Sequence, residues 1–330
     1  MGKFLKRTWV AFVMLITVAL AACSGANNQP VNSNAAPAQG NAQEAPSDKK
    51  LKIGLTLGTL SNPFFVAMSK GAEEAAKKYN AEIITVSADY DLAKQTAQIE
   101  DFITKKVDII LLNAVDSKGI AAAVQQAKAA NIPIVAVDVG AEGGVDSVVT
   151  SDNYMAGKLA GEYVVKRLNG KGNIAIIDGP PVTAVTDRIA GFEDAIKESE
   201  IKVIAKQNGE GNREKALSVM ETILQANPSG SIQAVFAIND PEGLGVDIAT
   251  NQAGRSGEFF IVGVDGAPEA VTALQEKKNF AATSAQFPNE MVKTAVDVGV
   301  KILNGEKVDP LIKVPVELIT QDNVGGYKGW

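Results

Sequence analysis

Beyond Leu51 the chain repeats one pattern. A short apolar run is followed by a longer stretch whose apolar positions recur at helical spacing. The runs are LKIGLTL, EIITVSA, DIILLN, PIVAVD, NIAIIDG, QAVFAIND and FFIVGVDG. They are rich in Ile and Val and lack strict polar alternation, as strands covered on both faces should be. Stretches such as FVAMSKGAEEAAKKY and GIAAAVQQAKAAN read as helices with Gly or Asn near their ends. A βαβ series of this kind predicts an α/β fold with parallel sheets under helices. One series runs to about Ser151 and a second opens at Asp152 with SDNYMAGKLAGEYVVKRL. Two similar lobes, facing each other across a cleft, fit this layout.

The runs end on polar residues: Asn113, Asp138, Asp178, Asn239 and Asp265. Parallel strands place their C-terminal ends on one side of the sheet, where open α/β sheets bind ligands. Carboxylates and amides gathered there make a surface for hydroxyl groups. Asp and Asn after a strand also serve as helix N-caps, and taken singly each residue fits either role. Asp138 is followed by VGAEGG, where no helix starts, so capping explains it poorly. In NDPEGLG, Asp240 with Pro241 forms a natural cap and first-turn pair, which leaves Asn239 for another task. For Asp178, capping or loop structure is the stronger reading. In TLSNPFF, Asn62 and Pro63 can start a helix. Phe64 and Phe65 then lie too far apart around it to share a narrow buried stripe, so at least one ring is expected at the ligand edge.

Composition narrows the chemistry. The chain has no histidine and one cysteine. That removes Ser-His-Asp and Cys-His nucleophile systems, His-ligated metals, internal disulfides and Cys-rich zinc sites. No metal or cofactor is expected. There is no P-loop, no G-x-S-x-G and no dinucleotide G-x-G-x-x-G after the strands.

The first 22 residues read as a targeting segment: Lys3, Lys6 and Arg7, then an apolar stretch from Trp9 to Leu20. Leu20-Ala21-Ala22-Cys23 resembles a bacterial lipobox, which implies cleavage before Cys23 and lipid on its thiol. Residues 23–50, rich in Asn, Ala, Pro, Gln and Ser, read as a flexible tether spanning roughly 30 Å. The formal net charge is −6, and losing the leader's basic residues makes the body more acidic. Such a body has no electrostatic footprint for nucleic acid.

Taken together, TLSNPFF, the VDSKG after Asn113, NIPIVAVD, TSDNYMAGKLAGEY, DRIAGF, AVFAIND, VGVDGAPEA, ATSAQFP and LNGEKV resemble the type I periplasmic sugar-binding proteins, the ribose-binding group that serves ABC importers. The resemblance covers residues 51 to about 320. It implies two Rossmann-like lobes, residues 51–151 with 287–317 and residues 152–286 with 318–330. Three hinge crossovers are implied, near Ser151-Asp152, Gln286-Phe287 and Glu317. In the first lobe Asn62, Phe64, Phe65, Asn113 and Asp138 match the group's ligand contacts; in the second, Arg188, Asn239, Asp265 and Gln286 do. Three positions depart from the ribose-binding pattern. Val139 stands where an arginine is expected, and Gly211 and Val264 where aromatics are expected. Phe64 and Phe65 are then the expected aromatic wall, and ribose is not the expected best ligand.

The residue types suit a neutral sugar. Arg188 against Asp138 and Asp265 leaves the site near −1, with no compensation for an anionic ligand. The expected function is an extracytoplasmic, lipid-anchored, monomeric binding protein, not an enzyme, that delivers a neutral monosaccharide or sugar alcohol to an ABC permease. A receptor for a furanose-like signal, reporting to a membrane sensor, is the alternative. A glycosidase with paired carboxylates finds weaker support. Trp330, the one tryptophan beyond the leader, is expected to report poorly on the site.

Overall fold

The computed structural model describes residues 50–330; the leader, the tether and Cys23 lie outside the described residues. The first lobe starts with β1 (Leu51–Leu57), α1 (Pro63–Lys77), β2 (Ala81–Ser87), α2 (Leu92–Thr104), β3 (Ile109–Leu112), α3 (Ala121–Ala129), β4 (Ile134–Val137) and β5 (Ser147–Ser151). The chain then passes to α4 (Asn153–Arg167), β6 (Lys171–Asp178), α5 (Thr183–Ile196), β7 (Glu200–Asn208), α6 (Arg213–Ala226), β8 (Ala234–Ala237), α7 (Asp240–Gln252), β9 (Phe260–Asp265), α8 (Pro268–Gln275) and β10 (Phe280–Ala285). It returns through α9 (Pro288–Leu303) to β11 (Leu311–Val314) and crosses once more to β12 (Glu317–Thr320).

The two sheets have the same strand order. One reads β11-β5-β4-β3-β1-β2 and the other β12-β10-β9-β8-β6-β7. Within each βα series neighbouring strands are parallel, as in β1 with β3 and β6 with β8. The outermost added strands differ: β11 joins β5 parallel, and β12 joins β10 antiparallel. The last passage between sheets runs over residues 315–316, so Glu317 already opens the second-lobe strand.

The central strands β3, β4, β8 and β9 are buried along their whole length, which is why they read as unbroken apolar runs. Edge strand β7 is mostly exposed, and its sequence EIKVIAKQN shows no such run. In the second lobe α4 and α5 come unusually close. A Cβ on Gly157 would sit 1.9 Å from the Arg188 carbonyl oxygen, and one on Gly191 2.0 Å from that of Tyr154. Only glycine permits this approach, and it brings Asn153 at the start of α4 within reach of the Arg188 side chain.

Candidate functional site

The C-terminal ends of both sheets face one cavity between the lobes. All nine residues expected at the site line it: Asn62, Phe64, Phe65, Asn113, Asp138, Arg188, Asn239, Asp265 and Gln286. Each is buried. The space left between them is about 60 Å³, counted as room for water centres. That suits one small solute or a few waters, and not an oligosaccharide.

On the first lobe, α1 begins as the sequence predicts. The Asn62 carboxamide oxygen accepts from Phe64 N–H at 2.9 Å, and Pro63 follows it. Both rings line the cavity, edge to face with centroids 5.5 Å apart. Asn113, at the end of β3, accepts from Gly58 N–H at 2.9 Å. Its amide donates to Asp138 Oδ2 at 2.9 Å and to the Val137 carbonyl at 3.3 Å. Both donor hydrogens are thus engaged, so toward a ligand Asn113 is left as an acceptor. Asp138 stands at φ 71° after β4, and its Oδ1 is buried with no hydrogen-bond partner.

On the second lobe, Arg188 projects from α5. Its Nε donates to Asn153 Oδ1 and its Nη1 to the Ile238 carbonyl, each at 2.9 Å, while Nη1 lies 4.0 Å from Asp265 Oδ1. Gln286 donates to Asp265 Oδ1 at 2.7 Å, and its own Oε1 is buried without a partner. Asn239 departs from the sequence reading. It is the cap of α7, accepting from Glu242 N–H at 2.9 Å and donating to the Gly211 carbonyl at 3.1 Å. Asp240 does not cap. It is fully buried, accepting from Thr283 Oγ1 and Ala267 N–H, and ties α7 to the β9 and β10 ends. Asp178 lies outside the cavity; it accepts from Gly179 N–H and sits 3.7 Å from Lys206.

Burial dominates the electrostatics. It pushes Asp138 up to about 6, against the pull of Arg188 and of the Asn113 hydrogen bond. It pushes Asp265 up to about 7, opposed by Arg188 and Gln286 and reinforced by Asp138. Glu242, fully buried behind the cavity, accepts from Gly211 N–H at 2.7 Å, and burial raises it well above the carboxylate range. Among the described residues no group of three or more His, Cys, Asp or Glu side chains could hold a metal ion.

Two features of the cavity were missed by the sequence reading. Tyr90, from the turn after β2, lines it beside Phe64 and Phe65, so the two phenylalanines are not the whole aromatic wall. An internal alignment of SADYDLAK with NGEGNREK would have drawn attention to it. The second lobe in turn presents Pro180, Val182, Val185 and Ile238, an aliphatic face in place of rings. Val139 also lines the cavity, whereas Val264 is buried in the core and does not. Across one mouth the lobes are joined by Gly140 N–H to Thr183 Oγ1 at 2.7 Å, Thr183 N–H to Ser117 Oγ at 3.1 Å and Ser117 N–H to the Pro181 carbonyl at 3.4 Å. The cleft is closed.

A periplasmic binding protein domain model matches residues 53–307. The chain belongs to the periplasmic binding protein family. A ribose import binding protein of Bacillus subtilis is 39 % identical over 275 residues, spanning 83 % of this chain and 88 % of that protein. Among solved structures, an ABC transporter solute-binding protein of Bacillus halodurans with bound myo-inositol superposes with a TM-score of 0.80 at 31 % identity, covering 86 % of this chain and 99 % of its own. One from Actinobacillus succinogenes with bound D-allose gives 0.78 at 31 %, covering 84 % and 100 %. The architecture is thus the type I periplasmic binding protein fold, two α/β lobes with mostly parallel sheets.

Proposed function

We propose that this family member is an extracytoplasmic solute-binding protein that captures one neutral monosaccharide or polyol in its cleft and hands it to an ABC importer. One observation carries the reading. Asp138 Oδ1 and Gln286 Oε1, one from each lobe, are buried acceptors without partners, and both residues line the cavity. A buried acceptor left unmade costs about 1–3 kcal/mol, more when charged. A molecule that carries several hydroxyls on a compact ring or chain supplies the missing donors. The same deficit opposes closure of an empty cleft, so ligand and closure are coupled.

The apolar surfaces agree with this. Phe64 and Phe65 offer a face for ligand C–H groups, and Pro180, Val182, Val185 and Ile238 offer a second. Arg188 faces two carboxylates, Asp138 and Asp265, so the site holds no surplus of positive charge for a phosphate or acid, a margin that burial narrows by favouring the protonated carboxyls. The relatives named above bind or import ribose, myo-inositol and D-allose, all neutral. Val139 and Gly211, where the ribose group has an arginine and an aromatic, argue that ribose is not the tightest ligand here. The lipobox supports reading Cys23 as a lipid anchor that holds the protein at a membrane surface outside the cytoplasm.

A thermal-shift panel of pentoses, hexoses, inositols, linear polyols and sugar phosphates, followed by calorimetry, tests the function. A saturable neutral ligand with micromolar affinity and silence from the phosphates is the expected result. Preference for an anionic ligand, or no neutral ligand at all, overturns it. Ribose far above every other ligand overturns the statement on ribose alone.

A further inference from the structure

Each lobe carries the same tight turn between its second strand and its next helix. After β2 the chain turns through Ala88-Asp89-Tyr90-Asp91, and after β7 through Gly209-Glu210-Gly211-Asn212. Each turn is closed by one backbone bond of 3.0 Å, Asp91 N–H to the Ala88 carbonyl and Asn212 N–H to the Gly209 carbonyl. Both hold their central pair left-handed, at φ 53° and 57° for Asp89 and Tyr90 and 58° and 68° for Glu210 and Gly211. Both end on the cap of the next helix: Asp91 accepts from Lys94 N–H and Asn212 from Lys215 N–H. Tyr90 and Gly211 therefore occupy equivalent positions in the two lobes.

These two positions meet across the cleft. A Cβ placed on Gly211 would lie 3.6 Å from Tyr90 Oη. A side chain of any size at 211 would compete with the phenol for that space. Tyr90 is an unusual choice for its own turn, because two successive left-handed non-glycine residues are strained and Asn-Gly or Gly-Gly would meet the backbone demand without strain. Such strain is retained where the side chain is needed in place. Tyr90 remains 36 % exposed, yet it lines the ligand cavity. Burial of the hydroxyl, with Asp265, Asp138 and Glu242 nearby, holds it protonated, so it can donate.

We infer that Tyr90 contacts the ligand and sets its identity, walling the cavity from the first lobe where Gly211 leaves the second lobe bare, and presenting its hydroxyl to a neutral sugar or polyol. This rests on the proposed sugar-binding function.

The test uses the full chain, with Tyr90→Phe and Tyr90→Ala beside wild type, titrated with ribose, D-allose, myo-inositol and xylitol. Tyr90→Ala is expected to weaken the best ligand at least tenfold and to reorder the four, larger ligands gaining relative to smaller. Tyr90→Phe keeps the ring and is expected to lose about two- to tenfold, the contribution of one hydrogen bond. Its unliganded melting temperature should match wild type, which separates contact from folding. If both variants bind the four ligands in the wild-type order and within threefold of wild-type affinity, the role of Tyr90 is overturned while the function stands. If wild type itself binds none of the four nor any other neutral sugar or polyol, the function falls, and this inference with it.

Discussion

The two lobes share a strand order, and β4 and β9 run out into register-equivalent aspartates, Asp138 and Asp265, whereas after β3 and β8 Asn113 matches Ile238 and Asn239 lies one residue further on. They differ in how the helix after the first strand begins. In the first lobe α1 is self-sufficient, capped by its own Asn62. In the second, α5 has no cap of its own; Val182 stands at that position without a side-chain bond. The Thr183 N–H is met instead by Ser117 Oγ of the first lobe. The helix that carries Arg188 is thus completed only when the lobes are together. The first lobe is a finished half-site with rings and acceptors; the second holds Arg188 through its own Asn153 and Ile238, but the helix that carries it starts on a bond borrowed from the first lobe. A binding protein that must distinguish empty from loaded gains from this asymmetry, because loading and closure stabilise the same state.

Removing Arg188 should break the comparison most. Arg188→Ala leaves the Ile238 carbonyl and Asn153 Oδ1 without their donors and removes the cation that favours ionised Asp138 and Asp265. Truncating one partner of a buried charged set costs about 2–5 kcal/mol. Calorimetry should show sugar affinity falling about 30-fold or more. A change under threefold would place Arg188 outside the ligand's reach and reduce it to a strut between α4 and α5.

The equivalent aspartates allow a finer cut, through pH. Both have folded values above the ordinary carboxylate range, about 6 for Asp138 and about 7 for Asp265. In the closed, empty state they therefore take up protons as pH falls through 7 and 6, where the unfolded chain does not. Their penalty on that state is full above about pH 7 and relieved below. Hydroxyl donors prefer the ionised carboxylates, so ligand lowers both values and expels protons. Affinity should be full above pH 7 and fall on acidification, by at most about tenfold per unit for each carboxylate. Titrations at pH 7.5 and 5.5 in buffers of different ionisation enthalpy measure both effects. Asp265→Asn should flatten the profile more than Asp138→Asn, since its value is displaced further; a flat wild-type profile would refute the account.

Much of this was legible in the chain. Buried parallel strands must be apolar on both faces, so β3, β4, β8 and β9 announced themselves, and their polar ends marked the ligand edge. Edge strand β7 did not, because a solvated face needs no apolar run. Asn239 was misjudged because Asn239, Asp240 and Pro241 each suit a helix start, and only the fold shows that Asp240 is drawn away to Thr283 and Ala267. Tyr90 escaped because its place depends on a left-handed turn that leaves no apolar pattern. The borrowed cap of α5 escaped because its donor and acceptor lie 66 residues apart on different lobes.

That borrowed cap can be tested directly. Ser117→Ala removes the acceptor for Thr183 N–H without touching a residue that lines the ligand cavity. Loss of a cap costs about 0.5–2 kcal/mol. Because the bond joins the two lobes, opening of the cleft without ligand moves the loss out of unliganded melting and into ligand binding, where it should be roughly two- to thirtyfold. The equivalent change on the other side, Asn62→Ala, should lower unliganded stability as well, because that cap is internal to the first lobe. Equal effects of the two changes on unliganded melting would erase the asymmetry.

The smallest expected signal comes from Trp330, which the sequence marked as a poor reporter and the structure places between the lobes. Its indole N–H donates to the Asp265 carbonyl at 3.0 Å, on the second lobe. Its ring meets Phe64 of the first lobe edge to face, centroids 5.9 Å apart at 88°. Hinge opening cannot preserve a hydrogen bond to one lobe and a ring contact with the other unless Trp330 sits on the axis itself. Sugar addition should therefore produce a modest, saturable change in intrinsic emission, with the same midpoint as calorimetry. Phe64→Leu, which keeps an apolar neighbour but removes the ring, should shrink that change relative to the residual heat of binding. An emission spectrum unmoved at saturation would put Trp330 on the hinge axis, and the two lobes would then share a pivot there instead of a contact that closure makes.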